Sequence, residues 1–66
     1  MKSYGEAIGL GGVLRRMANG IDQRISIEVE WSDKHCEWGF RTRDPWGGDW
    51  FEKSYRKLRE FLLSGY

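Results

Sequence analysis

The sequence predicts a small α+β domain of order α-β-β-α, in which an antiparallel hairpin carries both helices on one face. Three observations indicate this fold class: strict apolar–polar alternation over residues 24–31, a second alternating segment over residues 36–43, and a helical pattern on either side. The 66 residues suffice for a single domain, 1–66. A chain this short buries only about 60% of its unfolded surface. Large side chains must therefore build the core, and the 15% aromatic content supplies them.

The first element is a helix predicted over residues 4–18. Ser3 followed by Glu6 is the pattern of a capping box, and the Asn19-Gly20 pair is typical of a helix end. Between them, apolar residues recur at helical spacing, at Leu10, Val13, Leu14 and Met17. Interior glycines oppose the helix, since each costs about 1 kcal/mol relative to alanine. The helix therefore either begins only near Gly11 or uses its glycines to pack closely on a sheet.

Two strands follow the first helix. Residues 24–31 place four apolar side chains on one face, namely Ile25, Ile27, Val29 and Trp31. After a turn, a returning strand over residues 36–43 places its own set on one face, namely Cys36, Trp38, Phe40 and Thr42. The two sets coincide when the strands pair, so the hairpin has one apolar face for the helices to cover. Its edges stay open, which predicts a homodimer formed by edge-to-edge pairing.

Two registers of this hairpin satisfy the apolar pattern. A four-residue loop would set Glu30 opposite Glu37, which is unfavourable. A tighter loop would set Glu28 opposite Arg41 instead, but its tip residues, 34–35, are a poor sequence for a two-residue turn. Both registers keep the same faces inward.

A turn and a second helix complete the chain. The run Asp44-Pro45-Trp46-Gly47-Gly48 has the residue preferences of a type I turn. The helix is predicted over residues 50–63, with Asp49 as its N-cap and Glu52 at its third position. Its apolar arc consists of Trp50, Phe51, Ser54, Tyr55, Leu58, Phe61 and Leu62.

The sequence predicts no catalytic, cofactor or metal site, and hence a protein that is not an enzyme. His35 and Cys36 are neighbours, but adjacent strand residues point to opposite faces, and no second histidine is present. A structural zinc site needs about four Cys or His ligands, and the chain has one of each. The glycine run before Val13 resembles a phosphate loop, but no strand precedes it.

Tryptophan and arginine residues around the second turn predict a protein-binding surface. Both residue types are frequent hot spots of protein interfaces, and a turn presents them at low entropic cost. The candidate residues are Arg41, Arg43, Trp46 and Trp50. Trp46 either is exposed at the tip of the turn and free to bind, or folds back over the hairpin to close a small core. We expect a small regulator, adaptor or inhibitor that engages an unidentified protein partner, of the kind that phages and plasmids encode.

Nucleic-acid binding is the alternative. Basic side chains beside aromatic rings suit phosphates and stacked bases. The candidates are Lys53, Arg56, Lys57 and Arg59 on the second helix, extended by Arg41 and Arg43 on the outer sheet face. The net charge of +1 does not favour this alternative.

Cysteine usage and the first residues of the chain predict a cytoplasmic protein. Cys36 is the only cysteine, so no internal disulfide can form, which suits a reducing compartment. The first residues lack an apolar segment, and no stretch approaches membrane-spanning length. We therefore expect no membrane partner.

Overall fold

The chain folds into one three-stranded antiparallel sheet with two helices on one face. The computed structural model describes residues 1–66. The elements are α1 (Tyr4–Ile21), β1 (Ser26–Ser32), β2 (Glu37–Arg43), β3 (Asp49–Glu52) and α2 (Tyr55–Ser64), with the strands in the order β1-β2-β3. The predicted α+β class, with a helix before and after the sheet, is confirmed. The sheet has one strand more than the predicted hairpin.

Helix α1 begins where its capping box predicts. The Ser3 hydroxyl accepts a hydrogen bond from the Glu6 backbone N–H at 3.1 Å. The helix continues past the predicted end at Ala18 to Ile21, so its glycines do not interrupt it. Gly11 explains the close packing: a Cβ added there would lie 2.8 Å from Cγ2 of Val29 on β1.

The hairpin between β1 and β2 adopts the second of the two predicted registers. Glu28 lies opposite Arg41, and Trp31 lies opposite Trp38. The poor two-residue turn is avoided because residues 33–36 form a longer turn. Cys36 closes that turn with a φ of 51°, in the left-handed region. The prediction that Cys36 starts the strand and is buried was wrong: it precedes β2 and is exposed.

The helix predicted over residues 50–63 loses its first turn to the strand β3. Asp49 pairs with Arg43 across the sheet, and Phe51 pairs with Arg41. Alternation explains the strand, because Trp50 packs against the core while the Phe51 ring covers Gly39 on the opposite face. The predicted N-cap, Asp49, is therefore a strand residue. The N-cap of α2 is Ser54, whose hydroxyl accepts from the Lys57 backbone N–H at 3.3 Å.

A single core joins both helices to the inner face of the sheet. Its buried members are Leu14, Ala18, Ile25, Ile27, Phe40, Leu58 and Leu62. Trp50 and Tyr55 pack against this cluster from β3 and α2. This packing holds α2 beside β3, so that the Phe61 ring of α2 contacts the Trp50 ring of β3.

Candidate protein-binding surface

Asp44 organises the turn between β2 and β3. Its Oδ1 accepts hydrogen bonds from the backbone N–H groups of Trp46, at 2.9 Å, and Gly48, at 2.8 Å. The Asp44 backbone N–H donates to the Gly48 carbonyl at 3.0 Å. Gly47 supplies the positive φ, 92°, that the turn requires. The turn that carries Trp46 is thus fixed by its own hydrogen bonds.

The end of the chain is tied to the same aspartate. The Tyr66 hydroxyl donates to Oδ2 of Asp44 at 2.7 Å. Partial burial of the phenol and this hydrogen bond together raise the pKa of Tyr66. The Tyr66 hydroxyl, followed by the Gly48 N–H, holds the pKa of Asp44 below its ordinary value. The two side chains therefore hold the turn and the end of α2 together as a neutral phenol and a carboxylate.

Aromatic rings continue from this turn along α2. The Trp46 and Tyr66 ring centroids lie 5.3 Å apart, and those of Tyr66 and Phe61 lie 4.9 Å apart. Phe61 in turn meets Trp50 edge-on at 5.1 Å. Ile21, at the end of α1, borders a hollow together with Trp46 and Tyr66. We call the four exposed apolar residues of this end the aromatic surface: Ile21, Trp46, Phe61 and Tyr66.

The sheet separates the predicted protein-binding residues. Trp46 belongs to the aromatic surface, and Trp50 is half-buried beneath Phe61. Arg41 and Arg43 lie on the outer sheet face, which neither helix covers. The structure therefore brings the two tryptophans together through aromatic contacts and places the two arginines on a different face.

Both of these arginines form ion pairs with acidic neighbours. Arg41 pairs with Glu30 at 3.0 Å and with Asp49 at 3.5 Å. Arg43 pairs with Glu28 and also with Asp49, each at 3.6 Å. Two cations thus face three carboxylates, and the outer sheet face is not a basic patch.

The predicted basic residues of the last helix lie around α2. Lys53 precedes the helix, and its Nζ is 4.0 Å from a Glu37 carboxylate oxygen. Arg56, Lys57 and Arg59 are exposed and form no ion pair. The first turn of α2 contains no acidic residue. Arg41 and Arg43 do not extend this group, because they lie on the outer face of the sheet.

Comparison with known proteins gives no relative. No family model, no curated protein and no solved structure matches the chain. Function is therefore inferred from the surfaces alone.

His35 and Cys36, the reactive side chains of the hairpin turn, contact different partners. The His35 ring stacks on Phe51, with centroids 5.9 Å apart, and its Nδ1 lies 3.0 Å from the Ser32 hydroxyl. The Cys36 thiol donates to the Asp33 carbonyl at 3.5 Å. No group of three or more His, Cys, Asp and Glu side chains is arranged to hold a metal ion. Neither helix is both long and apolar enough to cross a membrane.

Two members of the aromatic surface were missed by the sequence reasoning. Tyr66 follows the last helix and shows no periodicity, and its partner Asp44 lies 22 positions earlier. Ile21 lies beyond the predicted end of α1. Phe61 was assigned to the buried arc of the last helix, but its side chain is 38% exposed. The sequence showed only an acidic turn residue followed by a tryptophan whose exposure it left open.

Proposed function

We propose that this protein is a non-enzymatic binding module that engages a protein partner through the aromatic surface, and thereby acts as a regulator, adaptor or inhibitor. One observation carries the proposal: Trp46 is 59% exposed on a turn that hydrogen bonds hold in place. An exposed tryptophan presents a large contact area, and a fixed turn has little entropy left to lose on binding.

The neighbours of Trp46 support the same use. Ile21, Phe61 and Tyr66 are each about 40% exposed, between 38% and 41%. They adjoin Trp46 directly or through one another, so the exposed apolar area is continuous. Contiguous exposed apolar patches are typical of protein-interaction sites.

Affinity capture with tryptophan variants tests this function. The immobilised protein, its Trp46→Ala variant and a Trp31→Ala control are exposed to the same lysate, and bound proteins are quantified by mass spectrometry. Trp31 is a matched control because it is 43% exposed but lies at the opposite end of the hairpin, packed on Trp38. We expect Trp46→Ala to lose the partner, with a drop of at least tenfold, and Trp31→Ala to retain it.

Circular dichroism of each variant is the control for folding. Capture of the same proteins by wild type and a folded Trp46→Ala variant would exclude the aromatic surface as the binding site.

Nucleic-acid binding is the second candidate, favoured by the unpaired cations of α2. Arg56 and Lys57 stand in a first turn without any acidic side chain, where a phosphate would be stabilised. A tryptophan-fluorescence titration with short single- and double-stranded oligonucleotides at two salt concentrations tests it. Saturable quenching that weakens steeply with salt supports nucleic-acid binding, and a flat response excludes it.

A further inference from the structure

The two edges of the sheet differ in how their backbone groups are used. On β1, the Arg15 side chain of α1 donates its Nε–H to the Ile27 carbonyl at 2.8 Å. This guanidinium occupies the carbonyl of the second residue of β1. Strand β3 pairs with β2 on one side only, and no side chain bonds to the backbone of Asp49–Glu52. The β3 edge is therefore open for another strand.

A hollow lies beside this open edge, on the inner side of the sheet. Trp50 of β3 and Leu58 and Phe61 of α2 form its apolar lining, and Glu52 and Lys57 complete it. Side chains of a strand alternate between its two faces. Every second side chain of a strand added along β3 would therefore enter the space between β3 and α2. An apolar side chain would fit the lining.

The charges around the hollow select the partner. Lys57 lines the hollow, and two further exposed cations are near it in sequence: Lys53 follows β3, and Arg56 lies in the first turn of α2. The carboxylate in the lining, Glu52, already accepts the Ser54 backbone N–H at 2.9 Å. Lys53 is 4.0 Å from a Glu37 carboxylate oxygen, but Arg56 and Lys57 have no ion-pair partner in a first turn that contains no acidic residue. Two unpaired cations at the positive end of a helix favour acidic side chains in the partner.

We infer that the partner binds as an extended acidic peptide that pairs with β3 as a fourth strand and places an apolar side chain in the hollow lined by Trp50, Leu58 and Phe61. The inference rests on the proposed protein-binding function and specifies its mode. The two sites are continuous, because Phe61 contacts Trp50 in the hollow and Tyr66 on the aromatic surface. A peptide that follows β3 toward Asp49 leaves the hollow beside Trp46, at the turn before that strand.

Selection from a random dodecapeptide display library tests the partner chemistry. With the full-length protein as bait, selected peptides are expected to alternate apolar residues with others and to be enriched in Asp and Glu. The double variant Arg56→Glu, Lys57→Glu reverses the local charge. We expect it to bind the selected acidic peptides at least tenfold more weakly, and to select peptides that lack the acidic enrichment.

Backbone methylation tests the strand pairing. One selected peptide is resynthesised with a single N-methyl group at each position in turn, and binding is measured by fluorescence anisotropy. A peptide in a β-ladder directs alternate N–H groups toward its partner. Methylation is therefore expected to weaken binding about tenfold at every second position, with little effect between.

The outcomes separate this inference from the proposed function. Peptides that require Trp46 but show no acidic enrichment or no alternating response to methylation overturn the inference and leave the proposed function standing. A library that yields no binder also overturns the inference, while the lysate capture tests the proposed function independently. A third outcome also overturns the inference: the protein binds oligonucleotides, the Arg56→Glu, Lys57→Glu variant does not, and no acidic peptide is selected. The cations of α2 would then serve nucleic-acid binding.

Discussion

Asp44 and Tyr66 connect the end of the chain to the Trp46 turn through a contact that depends on two protonation states. Folding raises the pKa of the Tyr66 phenol and lowers that of the Asp44 carboxyl. A raised pKa stabilises the fold below the ordinary value of the group, about 10 for tyrosine, and this stability is lost as the pH rises through the folded pKa. A lowered pKa stabilises the fold above the ordinary aspartate value, about 4, and this stability is lost in acid.

We therefore expect the contact to stabilise the fold between about pH 4 and pH 10. NMR titration of ring-labelled tyrosine should find Tyr66 still protonated above about pH 10, the ordinary tyrosine value. Asp44→Asn removes the carboxylate charge and should lower the pKa of Tyr66 toward its ordinary value. A Tyr66 resonance that titrates at the ordinary tyrosine value, about pH 10, in the wild-type protein would contradict the hydrogen bond.

The glycines of helix α1 lie in two different environments. Nothing lies within 4 Å of a Cβ added at Gly5, Gly9 or Gly12, whereas Gly11 faces Val29 and Phe40. The sequence left open whether the glycines shorten the helix or permit close packing. Close packing on the sheet is the role of Gly11 alone, since a Cβ at any of the other three would meet no atom, and none of the four shortens the helix.

Alanine substitutions in α1 distinguish the two roles. Gly9→Ala should raise the free energy of unfolding by about 1 kcal/mol, because alanine favours the helix and meets no atom. Gly11→Ala is its matched control in the same helix. It should lower the free energy of unfolding, since its Cβ would stand 2.8 Å from the Val29 side chain in the interface with the sheet. Urea denaturation of both variants measures the difference, and equal effects would refute the packing assigned to Gly11.

The strands and helices were predictable to different degrees. The hairpin followed from strict alternation, which one-sided burial imposes on a strand. Strand β3 did not, because the aromatic pair Trp50 and Phe51 fits the apolar arc of a helix as well as two faces of a sheet. Only the pairing of Phe51 across from Arg41, and its ring over Gly39, decides between them. These contacts join β2 to β3 and leave no periodic trace in so short a strand.

Placement of the candidate site depended on the whole molecule. Residues 41–50 are close in sequence, yet the sheet divides them between two surfaces. Arg41 and Arg43 face outward among Glu28, Glu30 and Asp49. Trp46 was predictable as a turn residue, and its exposure was an open alternative. Its support by Tyr66 requires the fold, because α2 carries the chain end back to the turn.

Assembly of the whole protein should depend on Arg15. The homodimer predicted from open hairpin edges remains a prediction, and it now concerns β3, because Arg15 occupies the Ile27 carbonyl on β1. We expect Arg15→Ala to free the β1 edge and increase self-association. Light scattering at increasing protein concentration, with Arg16→Ala as control for the lost charge, measures this effect. Identical scattering from the two variants would show that Arg15 does not guard the edge.

The difference between the β1 and β3 edges also bears on how many copies could join by strand pairing. A sheet with two unpaired edge strands can add further copies at both edges, as in a fibril. A sheet with one blocked edge can add a copy only at the other edge. Two copies that meet through β3 would form a six-stranded sheet with the Arg15–Ile27 contact at both outer borders. If β3 is the edge that pairs, the Arg15 guanidinium on the Ile27 carbonyl would oppose addition of a third copy at β1 and so favour a closed dimer over a growing sheet.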